Sequence, residues 1–151
     1  MIAIIQRVSE AQVMIEERLV SEIGQGMLIL LGIEDADDET DVAWLTGKLV
    51  KMRVFSDDAG LMNLSLIEVK GSALIVSQFT LHASTKKGNR PSLIRAARPE
   101  KATPLYEKFI EAMKELLGEA CVETGEFGAD MQVSLTNDGP VTIPIDSRNR
   151  Q

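Results

Sequence analysis

The chain has 151 residues, 44% of them hydrophobic, and a formal net charge of -7; this fits one compact domain with its own core and argues against a protein that coats nucleic acid through many phosphate contacts. A single cysteine, Cys121, and a single histidine, His82, leave no internal disulfide and no Cys/His metal cluster. With no apolar run long enough to span a bilayer and no basic-then-apolar leader pattern, the expectation is a soluble, cytoplasmic protein that uses neither metal nor other cofactor.

The first third alternates with period two at Ile2, Ile4 and Gln6, then at Val13 and Ile15, then at Leu19 and Ile23. That pattern predicts successive short strands with turns near Glu17 and at Gly24-Gln25-Gly26. MLILLGI, Met27 to Ile33, is apolar throughout and suits a strand buried on both faces. From Asp38 the spacing becomes helical, with Val42, Leu45, Leu49 and Met52 on one stripe and Asp37 or Asp38 as the cap. The acidic run Glu34 to Asp41 ahead of it reads as solvated helix-start chemistry.

A short strand RVFS, a turn from Asp57 to Gly60 and a strand around Leu66 to Val69 lead to a second apolar run, SALIVSQFTL, Ser72 to Leu81. The loop from Ser84 to Lys101 carries Lys86, Lys87, Arg90, Arg95, Arg98 and Lys101 against the lone acid Glu100. It is either a local phosphate patch or a solvated surface. A second helix begins between Pro99 and Pro104, spaces Leu105, Phe109, Met113 and Leu116 on one face, and ends at Gly118. The remainder predicts three short strands with turns at Gly125 and Gly139, and DSRNRQ, residues 146–151, reads as a frayed tail behind a domain of residues 1–145. Two helices among many strands, without strand–helix alternation, predict a single-domain α+β fold: a largely antiparallel, barrel-like sheet core with two main helices.

The common catalytic motifs are missing: there is no nucleophile elbow, phosphate loop or dinucleotide fingerprint. A nucleophile system would have to route through His82, and an isolated histidine beside a strand end is more often structural. Cys121 reads as a small buried hydrophobe. SQFTL, Ser77 to Leu81, stands out because Ser77, Gln78 and Thr80 interrupt a strand whose preceding residues demand burial. Two readings remain open. Either the strand is leaving the core and these side chains are solvated, or its end floors a pocket in which backbone N–H groups stabilise an oxyanion and Phe79 stacks on a ring. NDGPVT, Asn137 to Thr142, reads locally as a turn.

Taken together, SQFTL, RPS at Arg90 to Ser92, FGADMQVSL at Phe127 to Leu135 and NDGPVT resemble the D-aminoacyl-tRNA deacylases, from IAIIQRV at the start to about Ile145. Two departures, Leu61 where the family commonly has Lys and Leu93 where it commonly has Phe, lie outside the two signature motifs. The resemblance implies hydrolysis of the ester joining a D-amino acid, or glycine mischarged on tRNA(Ala), to the terminal adenosine of tRNA. It implies a homodimer in which a cis Gly139-Pro140 dipeptide reaches into the partner's pocket and rejects L-amino acids. It further implies a catalytic pocket of Ser77, Gln78, Phe79 and Thr80, with Phe79 and Gln78 near the adenosine, Thr80 at the ester and Met131 at the wall. Arg7 would hold the Gly-Pro segment, or else is an ordinary surface-strand arginine. The family offers two mechanisms, Thr80 as nucleophile or a water activated by the ribose 2′-OH, and the lack of a base near Thr80 favours the second.

The expected partner is the single-stranded 3′ end of an aminoacylated tRNA, with no DNA and no membrane. The competing readings are a non-catalytic RNA-end or protein-interaction module, and a hydrolase of small esters with Thr80 as nucleophile.

Overall fold

The computed structural model describes residues 1–150. Strand β1, Ile2–Ile15, is the spine of the sheet, one 14-residue strand where the sequence suggested two short ones. Register shifts near Arg7 and Val8 break the alternation without ending the strand, which is why the periodicity looks interrupted. It turns at Glu16 and Glu17, both at positive φ, into β2, Arg18–Ile23. The second half of β1 pairs with β2 and its first half with β3, Gly26–Gly32. β6, Ser72–Ser77, lies parallel to β3, and β7, Val122–Thr124, lies parallel to β6. β8, Gln132–Asp146, runs antiparallel along the other edge of β1.

The expected α+β fold with a barrel-like sheet and two main helices is what the chain forms. Antiparallel pairing prevails around β1, while β3, β6 and β7 add a parallel section. β3 and β6 are buried on both faces, as their unbroken apolar runs require. Ile29 and Ile75 point into the core beneath the helices, and Leu28, Leu74 and Val76 into a second cluster on the opposite face with Val8, Val13 and Ile23.

Helix α1, Glu39–Lys51, has Asp38 as its N-cap, with Asp41 closing a capping box. Helix α2, Pro99–Leu117, starts with Pro at its first position and stops at Gly118, whose φ is +96°. Tyr106 on α2 ties the helix to the sheet by donating to the Ile75 carbonyl at 3.0 Å and packs its ring on Phe127 at 5.5 Å. Burial pushes its phenol well above the usual range.

Three expectations are corrected. The strand between the helices is Met62–Leu64 (β5), paired with Phe55–Ser56 (β4), not Leu66 to Val69. Residues 66–70 form a turn instead, at whose start the Ser65 N–H and Oγ both donate to the Glu68 carboxylate at 2.7 Å, a Ser-x-x-Glu capping signal in the sequence. The strand within SALIVSQFTL ends at Ser77, and Phe79–His82 form a 3-10 turn. The C-terminal residues are not frayed at Ser147 and Arg148. Ser147 is buried and donates from Oγ to Asp41 at 2.6 Å, while Arg148 pairs with Asp37 at 3.3 Å and Asp41 at 3.1 Å. The Met1 ammonium completes this cluster at 2.5 Å from Asp37.

Burial pulls the Asp41 carboxyl up, but bonds from Ser147 and the Asp38 N–H, with the positive charges of the N-terminus and Arg148, outweigh it and hold the group below the ordinary 3.8. A depressed folded-state pKa contributes stability above the unfolded value and loses it as pH falls through the folded one. Wild-type Tm should therefore drop as pH is lowered below 3.8, and Asp41→Asn should flatten that limb. At neutral pH Asp41→Asn should cost about 3 kcal/mol, lowering Tm by roughly 6–12 °C. Equal acid slopes in thermal melts of the two proteins would count against this role.

Candidate functional site

A cleft of about 580 Å³ opens at the C-terminal end of β6. Its floor is Val76 and Ser77, its rim is Gln78 and Phe79, one wall is the start of α2 around Ala97 to Pro99, and the other is the Phe127 to Met131 loop. The Tyr106 ring holds Phe127 from behind, so the helix, the strand and the loop that build the cleft are fixed to one another. A cleft that is mostly apolar with a few polar groups at one end is the usual form of a small-ligand site.

The 3-10 turn gives the rim its chemistry. Gln78 is its N-cap but makes no side-chain capping bond, and the Gln78 N–H is taken by the Leu31 carbonyl at 2.7 Å. The next two N–H groups, of Phe79 and Thr80, have no acceptor among the described residues, as expected for the first donors of a helical turn. Phe79 is 56% exposed, an apolar ring standing in solvent beside two free donors. Gln78 Nε2 donates to Thr80 Oγ1 at 2.5 Å. Thr80 is exposed at the lip and does not line the cleft.

Of the residues the sequence singled out, Ser77, Gln78, Phe79 and Met131 line one cleft. Gly139, Pro140 and Arg7 lie apart from it on β8 and β1. NDGPVT is not a reversal, because β8 continues through it. Val8 pairs with Asn137 and Gln6 with Thr142, so four residues, Asp138 to Val141, stand opposite Arg7 alone and must bow outward.

Arg7 is no surface arginine. It is 8% exposed and donates from Nε to the Asp138 carbonyl at 2.7 Å and from Nη1 to the Val54 carbonyl at 2.6 Å. Asn137 Oδ1 accepts from the Val141 N–H at 2.8 Å and closes the arch. The Gly139-Pro140 bond is cis, Gly139 has φ +151°, and both residues are exposed. The arch is exposed and lies outside the chain's own cleft.

Sequence reasoning missed the contribution of α2 through Arg98 and Pro99, and of Phe127 and Asp130 beside Met131. The FGADMQV motif carried the signal for the loop, whereas nothing in the spacing of α2 shows that its first turn faces β6. Cys121 is half-buried rather than buried and lies outside the cleft. Among the described residues no His/Cys/Asp/Glu group could hold a metal ion, and no helix is long and apolar enough to cross a membrane.

A D-aminoacyl-tRNA deacylase of Akkermansia muciniphila is 64% identical over 98% of each chain, and one of Cytophaga hutchinsonii is 60% identical over the full length of both. The solved structure of a c-Myc DNA unwinding element binding protein matches with a TM-score of 0.93 at 37% identity, covering 97% of this chain and 98% of that one. That of a probable eukaryotic D-amino acid tRNA deacylase, at a TM-score of 0.80 and 18% identity over 95% of this chain and 98% of that one, shares the fold. The D-Tyr-tRNA(Tyr) deacylase family model matches residues 4–146, a span that takes in the Phe79 turn, the Met131 loop and the Arg7-held arch together, and the chain belongs to that family.

Proposed function

We propose that the chain hydrolyses the ester of D-aminoacyl-tRNA, and of glycine mischarged on tRNA(Ala), at the Ser77 to Thr80 rim. The observation that carries this is the pair of unpartnered N–H groups of Phe79 and Thr80 beside an exposed aromatic ring. The terminal adenine stacks on Phe79, Gln78 holds the ribose side, and the ester carbonyl lies over the two donors, where the negative charge of a tetrahedral intermediate is stabilised. An aminoacyl ester is already activated, so orientation and two donors suffice without a strong base. Met131 shapes the wall beside the aminoacyl group.

Chirality is read by rejection. In a homodimer the arch of one subunit enters the cleft of the other, and the Gly139 and Pro140 carbonyls face the substrate's α-carbon, where an L side chain collides with backbone. Glycine has nothing to collide and passes. Exposure of Gly139 and Pro140, the absence of both from their own cleft and the rigid Arg7 anchor support this arrangement. The free outer edge of β8 offers a surface for a twofold contact. The DNA element in the name of one structural relative belongs to that protein, and a net charge of -7 favours a short single-stranded end over a duplex.

One experiment tests both halves. Purified protein, with its mass in solution measured at the assay concentration, is offered D-tyrosyl-tRNA, L-tyrosyl-tRNA and a D-tyrosine methyl ester. The expected result is a dimer that releases D-tyrosine from tRNA at least about a hundredfold faster than L-tyrosine and leaves the methyl ester nearly untouched. A fully active monomer would defeat the cross-subunit arch, and no release from any substrate would leave a binding module.

A further inference from the structure

Between Ser84 and Pro99 the chain carries Lys86, Lys87, Arg90, Arg95 and Arg98 and no acid, in a protein whose net charge is -7. Part of that charge is structural. Arg95 pairs with Glu34 at 3.1 Å, and Lys101 just beyond donates to the Asp35 carbonyl at 2.5 Å, so both pin the cleft wall to the segment after β3. Lys86, Lys87, Arg90 and Arg98 are exposed and have no ion-pair partner among the described residues.

The backbone puts these free cations at the mouth of the cleft. Ser84 and Ser92 exchange a reciprocal pair of backbone hydrogen bonds, at 2.8 Å and 2.9 Å, which close a neck and make Thr85 to Pro91 a separate excursion. One side of the neck follows the Phe79–His82 turn by two residues, and the other adjoins Leu93, which lines the cleft. The excursion reverses near Gly88, whose φ is +67°, with Lys86 and Lys87 on one limb and Arg90 on the other. Three residues of extended chain reach about 10 Å from the neck. Arg98, in the cleft wall, continues the same positive rim inward.

We propose that the Thr85–Pro91 loop grips the phosphates of the RNA strand that delivers the ester to the cleft, through Lys86, Lys87 and Arg90. The inference rests on the reading that the terminal adenosine lies on Phe79. With that nucleotide on the rim, the strand behind it leaves past the cleft mouth, where the loop stands. Unpaired like charges in so short a loop repel one another, and a polyanion laid along them removes the repulsion. Phosphate contacts fix the position of the strand without reading its bases. Three such contacts also fit an acidic protein, since the loop holds one short stretch of RNA while the negative remainder of the surface disfavours a wider embrace. The competing anion is the acidic surface of a second copy of the chain.

The test combines Lys86→Gln, Lys87→Gln and Arg90→Gln in one variant, at exposed positions outside both core clusters, where substitution leaves stability nearly unchanged. Binding of uncharged tRNA by wild type and the triple variant is measured from about 50 mM to about 200 mM salt, with the solution mass of each protein recorded. Beside it runs single-turnover hydrolysis of D-tyrosyl-tRNA and of D-tyrosyl-adenosine, a substrate without phosphates.

The triple variant should bind tRNA at least about tenfold more weakly at the low-salt end. Its slope of log affinity against log salt should be shallower by about 2, since roughly 0.7 is lost with each phosphate contact to a single strand. The advantage of D-tyrosyl-tRNA over D-tyrosyl-adenosine should shrink by about tenfold. Equal affinity and slope in the two proteins would overturn the grip, as would a wild type that binds no tRNA. A triple variant that falls apart into monomers would overturn it too and assign the loop to the second copy. Binding that responds as expected while neither substrate is hydrolysed would leave the grip standing and sink the placement of chemistry at the Phe79 turn, so the two failures are told apart.

Discussion

Gly139→Ala should lower the rate of D-aminoacyl-tRNA hydrolysis by at least about a hundredfold while the protein stays folded and associated. The position combines two independent obstacles to a side chain. Its φ of +151° lies where L-residues are rarely found, and an added Cβ would stand 2.7 Å from both the backbone nitrogen and Cγ2 of Val141, with Arg7 Nη2 at 3.3 Å. Backbone cannot move aside as a flexible side chain does. The arch must shift, and since Arg7 holds it through the Asp138 carbonyl, the shift falls on Gly139 and Pro140 themselves.

The residue is exposed and outside both core clusters, so global stability should fall by only about 1 kcal/mol, a few degrees in Tm. Activity and stability therefore separate, and the comparison of single-turnover rates with thermal melts and solution mass is decisive. Wild-type hydrolysis by a folded Gly139→Ala dimer would reduce the arch to an ordinary strand bulge. Arg7→Lys should give a milder version of the same loss, because one ammonium cannot span the Val54 and Asp138 carbonyls as the guanidinium fork does.

What was legible in the sequence follows from how far each signal reaches along the chain. α1 and α2 were visible because their apolar stripes and end signals, Asp38, Pro99 and Gly118, act within a few residues. β3 and β6 were visible because burial on both faces leaves an unbroken apolar run. The continuity of β1 and β8 was not, since a bulge interrupts alternation just as a turn would, and only the partner strand shows that pairing resumes on the far side. Arg7 illustrates the same limit: its side-chain partners are Val54 and Asp138, both remote in sequence. Ser77, Gln78 and Phe79 were legible as polar and aromatic intrusions at the end of a buried strand. The 3-10 turn that frees the Phe79 and Thr80 donors was not, because it depends on the Gln78 N–H reaching the Leu31 carbonyl. The role of α2 in the cleft wall is equally a matter of packing.

The largest expected effect on the substrate side is for D-aminoacyl-tRNA ending in 2′-deoxyadenosine with the ester on the 3′ oxygen, which should bind normally but be hydrolysed more slowly by roughly 10² or more. The reason is the surroundings of Thr80. Its hydroxyl oxygen accepts from Gln78 Nε2, a contact that fixes its direction without drawing off its proton, since an amide N–H is a donor and no base. Among the described residues no carboxylate or imidazole bonds to it, and the imidazole two residues on is buried and has no hydrogen-bond partner. A hydroxyl nucleophile needs a base within reach, and none bonds to Thr80 among the described residues; in the proposed mechanism the protein contributes orientation and the two backbone donors. The group that assists the attacking water then has to come with the substrate, and the ribose 2′-OH adjoins the ester. Thr80→Ser, which keeps the hydroxyl, should remain active. Single-turnover rates for the deoxy and normal substrates decide between the routes: equal rates, or an acyl group trapped on Thr80, would restore the threonine nucleophile and leave the 2′-OH a bystander.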